Sequence, residues 1–382
     1  MNIDTLEKLI NNSFNKTFFS KNFINDLDKI YSEFSNSAKI NYLSEKKSGN
    51  FEDPHNFLSY NKFKNFKEIF YNFKNVDVSL ELYYNKVNTK LINELVRIIN
   101  FCITLFQVIN KKNKVNNIKI YIFFINRNKF INLNRSNQLI KKNINSGYTQ
   151  HNSIKDNLPE NYIVIYRTEE IKKVLIHELI HLFKFDKLYD IKITSDLNIN
   201  NIIKSTNGNL LIYEAYTETM ATIIYSYYYY KIKSNSSANS STNSANEIDL
   251  NKILNQQLLF SFFQSAKILY NQKIYNIGGL DTKNPITINE ETPSTSYYIL
   301  KCAILNNINL FKKLFNNHKN YLLISKYKIN LFNNYLVKSV LKEEFKISMD
   351  NILINLIKIN KLENINKSEK TLLKTFRMNI LD

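Results

Sequence analysis

Apolar residues recur at helical spacing over much of the chain and form almost continuous runs in two short stretches. Between residues 89 and 110 they follow i, i+3, i+4 and i+7, which predicts an amphipathic helix. Residues 118–125 and 162–166 are short and mostly apolar or aromatic, so we expect each to form a buried strand. Helical spacing returns at residues 250–270 and again beyond residue 335. The pattern predicts an α+β protein that is predominantly helical and has a small mixed sheet.

A polar tract interrupts this pattern and helps to divide the chain. Residues 233–246 consist mainly of Ser and Asn, which is typical of a flexible loop. The stretch before the first predicted strand has a loose helical period. We therefore expect four regions: a helical N-terminal region (1–110), a sheet-and-helix region (111–232), a low-complexity loop (233–249) and a helical C-terminal region (250–382).

The composition is that of a globular protein. Hydrophobic residues make up 44% and charged residues 22% of the 382 residues. With only 5 Gly and 4 Pro, long helices are favoured over a turn-rich β fold. The two cysteines, Cys102 and Cys302, lie in apolar helical patterns, so we expect reduced core residues and no disulfide.

The chain is strongly basic, with a formal net charge of +19. Such a charge attracts polyanions in general. The lysines are spread widely, however, and no basic run exceeds the one at residues 111–114. A nucleic-acid-binding protein usually concentrates its charge on one face. Nucleic acid is therefore a possible partner but not the favoured one.

No membrane span is predicted. The longest apolar stretch, residues 98–109, is interrupted by Asn100, Thr104 and Gln107, and it is too short and too polar to cross a bilayer. The first residues lack a basic segment followed by an apolar one, so they do not resemble a signal peptide. We expect a soluble, intracellular protein.

One short motif indicates chemistry. His177, Glu178 and His181 form an HExxH sequence inside an apolar run. On a helix, the two histidines lie about 40° apart on one face, so both imidazoles can reach one metal ion. Glu178 lies about 100° from His177, beside the metal and not on it. This arrangement suits a zinc ion with a general base next to the bound water.

The residues before the motif predict its structural setting. The strand at residues 162–166 is followed by Thr168, which we expect to cap the motif helix. Glu169 and Glu170 suit the positive end of that helix. The order is therefore strand, short strand at residues 147–150, strand and motif helix. In this order and in the HExxH residues, the stretch from about 116 to 232 resembles the zincin metallopeptidases, which implies a zincin-like catalytic core.

The resemblance implies a third zinc ligand on a second helix. Metzincins would continue the motif with Gly and then His or Asp, but the chain has Lys184 and Lys187 there. The stretch around Glu214 resembles the glutamate helix of gluzincins instead, in which a Glu ligand is followed four residues later by an acid. That likeness implies that Glu214 binds zinc and that Glu218 contacts one of the histidine ligands and fixes its tautomer.

Alternatives for the third ligand remain open. Glu218 could bind the zinc in place of Glu214. Asp186 and Asp190 are further oxygen ligands, although no matching motif surrounds them. Glu214 follows His181 by 33 positions (214 − 181), which is longer than the best-known gluzincin spacing, so residues 190–208 are expected to form an extra loop.

The C-terminal region is expected to supply the group that stabilises the oxyanion. Tyr297 and Tyr298 are our candidates, because they begin a predicted helix after a Ser/Thr-rich loop. His151 and His318 are weaker candidates, since a lone His more often lies at the surface or in the core.

The combined prediction is a zinc-dependent metallopeptidase of the gluzincin type. Zn²⁺ is the expected cofactor, and a peptide or protein is the expected substrate. Peptide bonds would be hydrolysed by a zinc-activated water with Glu178 as the general base. An extended peptide could pair with the strand at residues 148–150. Two other classes stay open: a zincin-fold protein without turnover, which an intact Glu178 argues against, and a basic nucleic-acid-associated protein.

Overall fold

Long helices and a mixed sheet account for most of the computed structural model. It describes residues 6–7, 14–18, 21–36, 41–46, 63–110, 115–133, 138–151, 161–186, 198–238, 249–309, 311, 329–361 and 367–381. The strands are β1 (Asn41–Lys46), β2 (Asn65–Phe73), β3 (Val76–Tyr84), β4 (Asn117–Phe123), β5 (Gly147–His151), β6 (Asn161–Ile165), β7 (Ile203–Ser205) and β8 (Ile286–Ile288). The α-helices are α1 (Lys21–Asn36), α2 (Thr89–Ile109), α3 (Lys141–Ile144), α4 (Ile171–Leu182), α5 (Ile212–Ala238), α6 (Leu250–Asn271), α7 (Lys301–Asn306), α8 (Ile329–Leu341), α9 (Glu343–Asn360) and α10 (Lys367–Lys374).

The chain forms two compact units. We call the first the sheet unit; it comprises Lys21–Asn128 and Ser146–Phe185. The second, the helical unit, comprises Met1–Ser20, Lys129–Asn145 and Asp186–Asp382. The α+β class and the helical predominance are as expected from the apolar pattern.

The sheet unit is built on six strands in the order β1-β2-β3-β4-β6-β5. β1, β2 and β3 are antiparallel to one another, whereas β4 is parallel to both β3 and β6. β5 lies at one edge and runs antiparallel to β6. The three strands predicted at residues 118–125, 147–150 and 162–166 are confirmed as β4, β5 and β6.

Helix α2 is confirmed at almost the predicted bounds. It packs against α1 and α4, and the Phe106 ring lies 5.0 Å from that of Phe183 and 4.6 Å from that of Phe185 between centroids. In the described part of the chain, α2 alone is long and apolar enough to cross a membrane, but 67% of its most apolar window is buried inside the protein. That burial is typical of a core helix in a soluble protein. An intracellular location stays a prediction.

The prediction that residues 1–110 are helical is wrong. Three strands lie in this region, between α1 and α2. The β2–β3 turn explains the local fold, because Lys74 and Asn75 both have positive φ, 49° and 63°. A two-residue turn of this kind matches the twist of paired strands. Along β3, the inward positions are apolar and buried: Val76, Val78, Leu80 and Leu82.

The helical unit is organised around α5 and α6, which pack against each other. α9 packs on α6, and a π-helical turn (Ser296–Leu300) leads from Ser/Thr-rich chain into α7. The predicted loop at 233–249 begins too early, since α5 continues to Ala238. The Ser234 hydroxyl donates to the Tyr230 carbonyl 2.9 Å away, one turn back along the helix. Residues 239–248 lie outside the described chain.

The expected extra loop is only partly described. Residues 187–197 lie outside the described chain. From residue 198 onward the stretch contains a short 3₁₀ turn (Ile199–Asn201) and β7, which pairs in parallel with β8. It is therefore more regular than predicted. The Leu210 amide donates to the Asn200 side chain 2.8 Å away, which holds the approach to α5.

A C-terminal segment (residues 372–380) is held inside the helical unit by buried polar side chains. The Lys267 ammonium, on α6, donates to the Leu372, Leu373 and Thr375 carbonyls at the end of α10. The Gln257 amide, also on α6, bonds to Asn379 and Ile380. A buried ammonium among carbonyls suits the negative end of a helix.

Candidate metal centre

Helix α4 begins later than the capping prediction placed it. Its N-cap residue is Glu170, in a left-handed conformation with φ 60°, and no side chain caps the helix. The Thr168 hydroxyl instead donates to the Ile125 carbonyl 3.2 Å away, so it does not cap α4. The prediction was wrong because the helix starts three residues after Thr168, at Ile171, and the Thr168 hydroxyl is bonded to Ile125.

Helix α4 ends in a Schellman motif. The Phe185 amide donates to the Ile180 carbonyl at 3.1 Å, and the Lys184 amide to the His181 carbonyl at 2.8 Å. Lys184 has φ 53°, at the position where Gly is usually found. The motif histidines therefore lie in a helix whose last turn is closed by backbone hydrogen bonds.

The two motif histidines are brought together as predicted. His177 is buried and His181 is half-buried, and their Nε2 atoms lie 3.0 Å apart. Two nitrogens bound to one tetrahedral zinc, each about 2.0–2.1 Å from it, would lie about 3.3 Å apart. The spacing of the two atoms therefore fits a shared metal ion. It equally allows one imidazole to donate a hydrogen bond to the other.

The carboxylate of Glu178 is buried and lies against the edge strand β5. The Thr149 hydroxyl lies 2.9 Å from Glu178 Oε2 and 2.9 Å from the Glu178 carbonyl oxygen. A Cβ placed on Gly147 would lie 3.3 Å from Glu178 Oε1 and 2.9 Å from the Val164 carbonyl oxygen. A side chain at position 147 would therefore clash with the backbone of β6 and crowd the Glu178 carboxylate.

Tyr166 is a second titratable group beside this carboxylate. Burial raises the pKa of Tyr166 well above its ordinary value; the Arg167 charge opposes that shift and the Glu178 charge adds to it. The Tyr166 hydroxyl therefore stays protonated at neutral pH.

Glu214 lies in the first turn of α5 and is 9% exposed. Glu214 offers a carboxylate oxygen, and the motif offers two imidazole nitrogens. Two imidazole nitrogens and a carboxylate oxygen are a common donor set for catalytic zinc. The donor chemistry therefore fits zinc.

Two acidic side chains act on Tyr213, the residue before Glu214. Burial raises the pKa of Tyr213, and the negative charges of Glu214 and Asp186 raise it further. Asp186 is buried, and its role as an alternative ligand stays a prediction. The other acid considered from the sequence, Asp190, lies outside the described residues.

Glu218, one turn further along α5, has a cationic partner. Its Oε1 lies 3.5 Å from the Lys301 ammonium, and both side chains are 1% exposed. Lys301 also donates to the Met378 carbonyl at 2.8 Å. The predicted contact from Glu218 to a histidine ligand stays a prediction.

The two tyrosine candidates differ in their surroundings. Tyr298 is fully buried; its hydroxyl donates to the Phe376 carbonyl at 2.6 Å and its ring stacks on that of Phe376. This hydroxyl bonds to the C-terminal segment, so Tyr298 is not available to stabilise the oxyanion. Tyr297 is half-buried, and its role stays a prediction.

The two lone histidines add little to the site. His151 ends β5, and its Nδ1 lies 3.1 Å from the Asn161 side-chain oxygen, which is a cross-strand contact. His318 lies outside the described residues.

Part of the chain is similar to a viral protein. It matches Uncharacterized protein R210 of Acanthamoeba polyphaga mimivirus, with 30% identity over 226 residues. The match covers 56% of this chain and 54% of that protein, so the chain spans about half the length of its relative. No family model and no solved structure matches the chain. The name of the relative assigns no activity, so a function must be argued from the residues.

Sequence reasoning missed Thr149, Gly147 and Lys301. Gly147 had a usable signal, since it is one of only 5 glycines and it begins a predicted strand beside the motif helix. Thr149 and Lys301 have no comparable signal in the sequence, because tertiary packing determines their partners.

Proposed function

We propose that the protein is a zinc-dependent metallopeptidase with a zincin-like core. The observation that carries the proposal is the arrangement on α4: two imidazole Nε2 atoms lie 3.0 Å apart, and Glu178, the residue after His177, is buried against β5. A helix that places these three groups in this way suits metal-assisted hydrolysis.

His177, His181 and Glu214 would hold the ion, which leaves one position open. Bound zinc supplies a Lewis acid that polarises a carbonyl and lowers the pKa of water to about 7. The Glu178 carboxylate would accept the proton of the attacking water and pass it to the leaving amine.

The edge position of β5 supports a peptide as substrate. An extended peptide can add to an exposed sheet edge through main-chain hydrogen bonds. β5 pairs with β6 on one side, and no described strand pairs with its other side. The strand order that precedes α4, and the acid-containing helix α5 that follows it, are the features that resemble gluzincins.

The decisive experiment is the Glu178→Gln substitution. Purified protein loaded with zinc is incubated with unfolded casein and a mixed peptide library, and mass spectrometry follows the cleavage. We expect wild-type protein to cleave, and Glu178→Gln to keep its zinc but lose activity by about 10²-fold or more, because the base is absent.

Glu33→Gln is the matched control. Glu33 lies on α1 and pairs with Lys74 in the β2–β3 turn, so the variant removes one carboxylate from the same unit, on a helix other than the motif helix. It should retain full activity. Wild-type turnover in Glu178→Gln would contradict the mechanism.

The ligand set is tested separately by metal analysis. His177→Ala and Glu214→Ala should bind less than a tenth of the wild-type zinc, whereas Glu218→Gln should remain loaded. Full zinc in Glu214→Ala together with loss in Glu218→Gln would transfer the third ligand to Glu218.

The net charge of +19 keeps a nucleic-acid partner as a second candidate. Binding of that kind falls steeply as salt is added. It stays a prediction, as does a zincin fold without turnover.

A further inference from the structure

We propose that Thr149 joins the substrate-binding edge of the sheet to the catalytic base. Its side chain positions Glu178, and its main-chain amide and carbonyl are placed to hydrogen-bond to the substrate. This inference rests on the proposed function and adds a positioning residue to it.

The side-chain half of the inference rests on two equal distances. Thr149 Oγ1 lies 2.9 Å from the Glu178 carbonyl oxygen and 2.9 Å from Glu178 Oε2. One hydroxyl therefore contacts both the backbone and the carboxylate of the same residue. Hydrogen bonds to charged groups are among the stronger ones in proteins. The bond restricts the rotamer of Glu178 to the one that faces β5.

The glycine two residues earlier makes this contact possible. A side chain at position 147 would meet the Val164 carbonyl oxygen at 2.9 Å and Glu178 Oε1 at 3.3 Å. Successive strand residues point to opposite faces, so Gly147 and Thr149 face the same side. Gly147 thus lets the helix approach, and Thr149 reaches the carboxylate from the same face.

The main-chain half follows from the register of β5. The Tyr166 amide donates to the Ser146 carbonyl at 2.9 Å, and these residues are directly opposite in the register that pairs Gly147 with Ile165. Opposite pairs in an antiparallel ladder alternate between hydrogen-bonded and non-bonded. The pair Thr149–Ile163 is therefore non-bonded, so the amide and carbonyl of Thr149 point away from β6.

Thr149 consequently faces two partners at once. Its main-chain groups point to the outer edge of β5, where no described strand pairs. A peptide added at that edge would bond to Thr149 and fix the strand that holds Glu178. Loss of the hydroxyl should then lower the rate of the chemical step and leave substrate binding to the main chain intact.

The test compares Thr149→Val with Thr149→Ser in the full-length zinc-loaded protein. Kinetics are measured on a peptide taken from the library that wild-type protein cleaves. We expect kcat of Thr149→Val to fall about 10- to 100-fold, the range for a lost hydrogen bond to a charged group, with KM within twofold of wild type. Thr149→Ser should recover most of kcat, because it keeps the hydroxyl.

Thr168→Val is the matched control. It removes a half-buried threonine hydroxyl from the same unit, one that bonds to the Ile125 carbonyl and not to Glu178. It should leave kcat unchanged. A wild-type kcat in Thr149→Val, or an equal loss in Thr149→Ser, would overturn the inference.

A second measurement does not depend on catalysis. The midpoint of urea unfolding is measured for Thr149→Val, Glu178→Ala and the double variant. If Thr149 holds the carboxylate, the double variant is less destabilised than the sum of the two single changes. Additive shifts would refute the contact even if the wild-type protein cleaved nothing, whereas a coupled cycle without any zinc-dependent cleavage would refute only the proposed function.

Discussion

The sheet unit and the helical unit both bury charged groups, but they satisfy those groups in different ways. In the sheet unit, partners lie on the same strand or the adjacent one: Glu81 accepts from the Tyr83 hydroxyl, also on β3, at 2.7 Å and pairs with Lys119, on β4, at 2.9 Å. In the helical unit, partners are distant in the chain: Lys301 bonds to the Met378 carbonyl, 77 positions away.

This difference predicts how each unit responds when a polar partner is removed by substitution. Beside β5, the Glu178 carboxylate contacts the neutral hydroxyl of Thr149, so loss of that hydroxyl removes a hydrogen bond but not a counter-ion. In the helical unit, Glu218 pairs with the Lys301 ammonium, and loss of one member of a buried ion pair is strongly destabilising. We therefore expect substitutions in the helical unit to act on folding, and those beside β5 to act more on function.

The largest expected effect is that of Lys301→Met. It leaves the Glu218 carboxylate, 1% exposed, without its ammonium, and removes the bond to Met378. Breaking a buried ion pair on one side costs about 3–5 kcal/mol. We expect a loss of that size in the free energy of unfolding, measured with urea.

Lys252→Met is the control for this change, since Lys252 is an exposed residue of α6. It should alter stability by less than about 0.5 kcal/mol. Adding Glu218→Leu to Lys301→Met should restore part of the loss. A loss below about 1 kcal/mol in Lys301→Met would show that the helical unit tolerates Glu218 without the Lys301 ammonium.

A smaller effect is expected from Gly147→Ala. The added methyl would lie 2.9 Å from the Val164 carbonyl oxygen, which belongs to the backbone of β6 and cannot turn aside. Overpacking of this kind costs about 1–3 kcal/mol, and it should also displace Glu178 and reduce cleavage. Gly279→Ala is the comparison, because a Cβ there meets nothing within 4 Å. Equal behaviour of the two variants in thermal unfolding would argue against the close approach of position 147 to the backbone of β6.

The smallest expected effect is a gain in stability, and it should be similar in the two units. α4 and α6 both end in Schellman motifs with a lysine in the left-handed position, Lys184 at φ 53° and Lys273 at φ 62°. A left-handed conformation costs a residue with a side chain about 1–2 kcal/mol, and Gly avoids that cost. Lys184→Gly and Lys273→Gly should each raise the unfolding temperature.

Lys361→Gly serves as the control for both, since Lys361 follows α9 with φ −89°. It should bring no gain. If Lys184→Gly and Lys273→Gly also brought none, strain at these two positions would be negligible.

The sequence predicted those parts of the molecule that repeat with a clear period. Helix α2 and strands β4 and β6 were located because their apolar positions are regular. β3 also alternates from Val76 to Leu82, which is a strand signal inside a region whose loose helical period favours helices. β2 is harder to predict, because both of its faces are only partly buried at one end.

For the candidate site, the sequence predicted the groups that share one helix. The spacing of His177 and His181 was enough to place their nitrogens together. The contact from Thr149 to Glu178 depends on the register of β5, and the pair of Glu218 and Lys301 is separated by 83 positions (301 − 218). Neither separation leaves a periodic signal, so tertiary packing alone decides those partners.

The C-terminal segment held by α6 also bears on how fast the helical unit can fold. Helical proteins usually fold quickly because most of their contacts are local. Here the Gln257 side chain hydrogen-bonds to Asn379, 122 positions later, and the Lys267 ammonium hydrogen-bonds to the Leu372 carbonyl, 105 positions later. The interior of this unit closes through long-range contacts, as in a β-sandwich, so we expect it to fold more slowly than its helix content suggests.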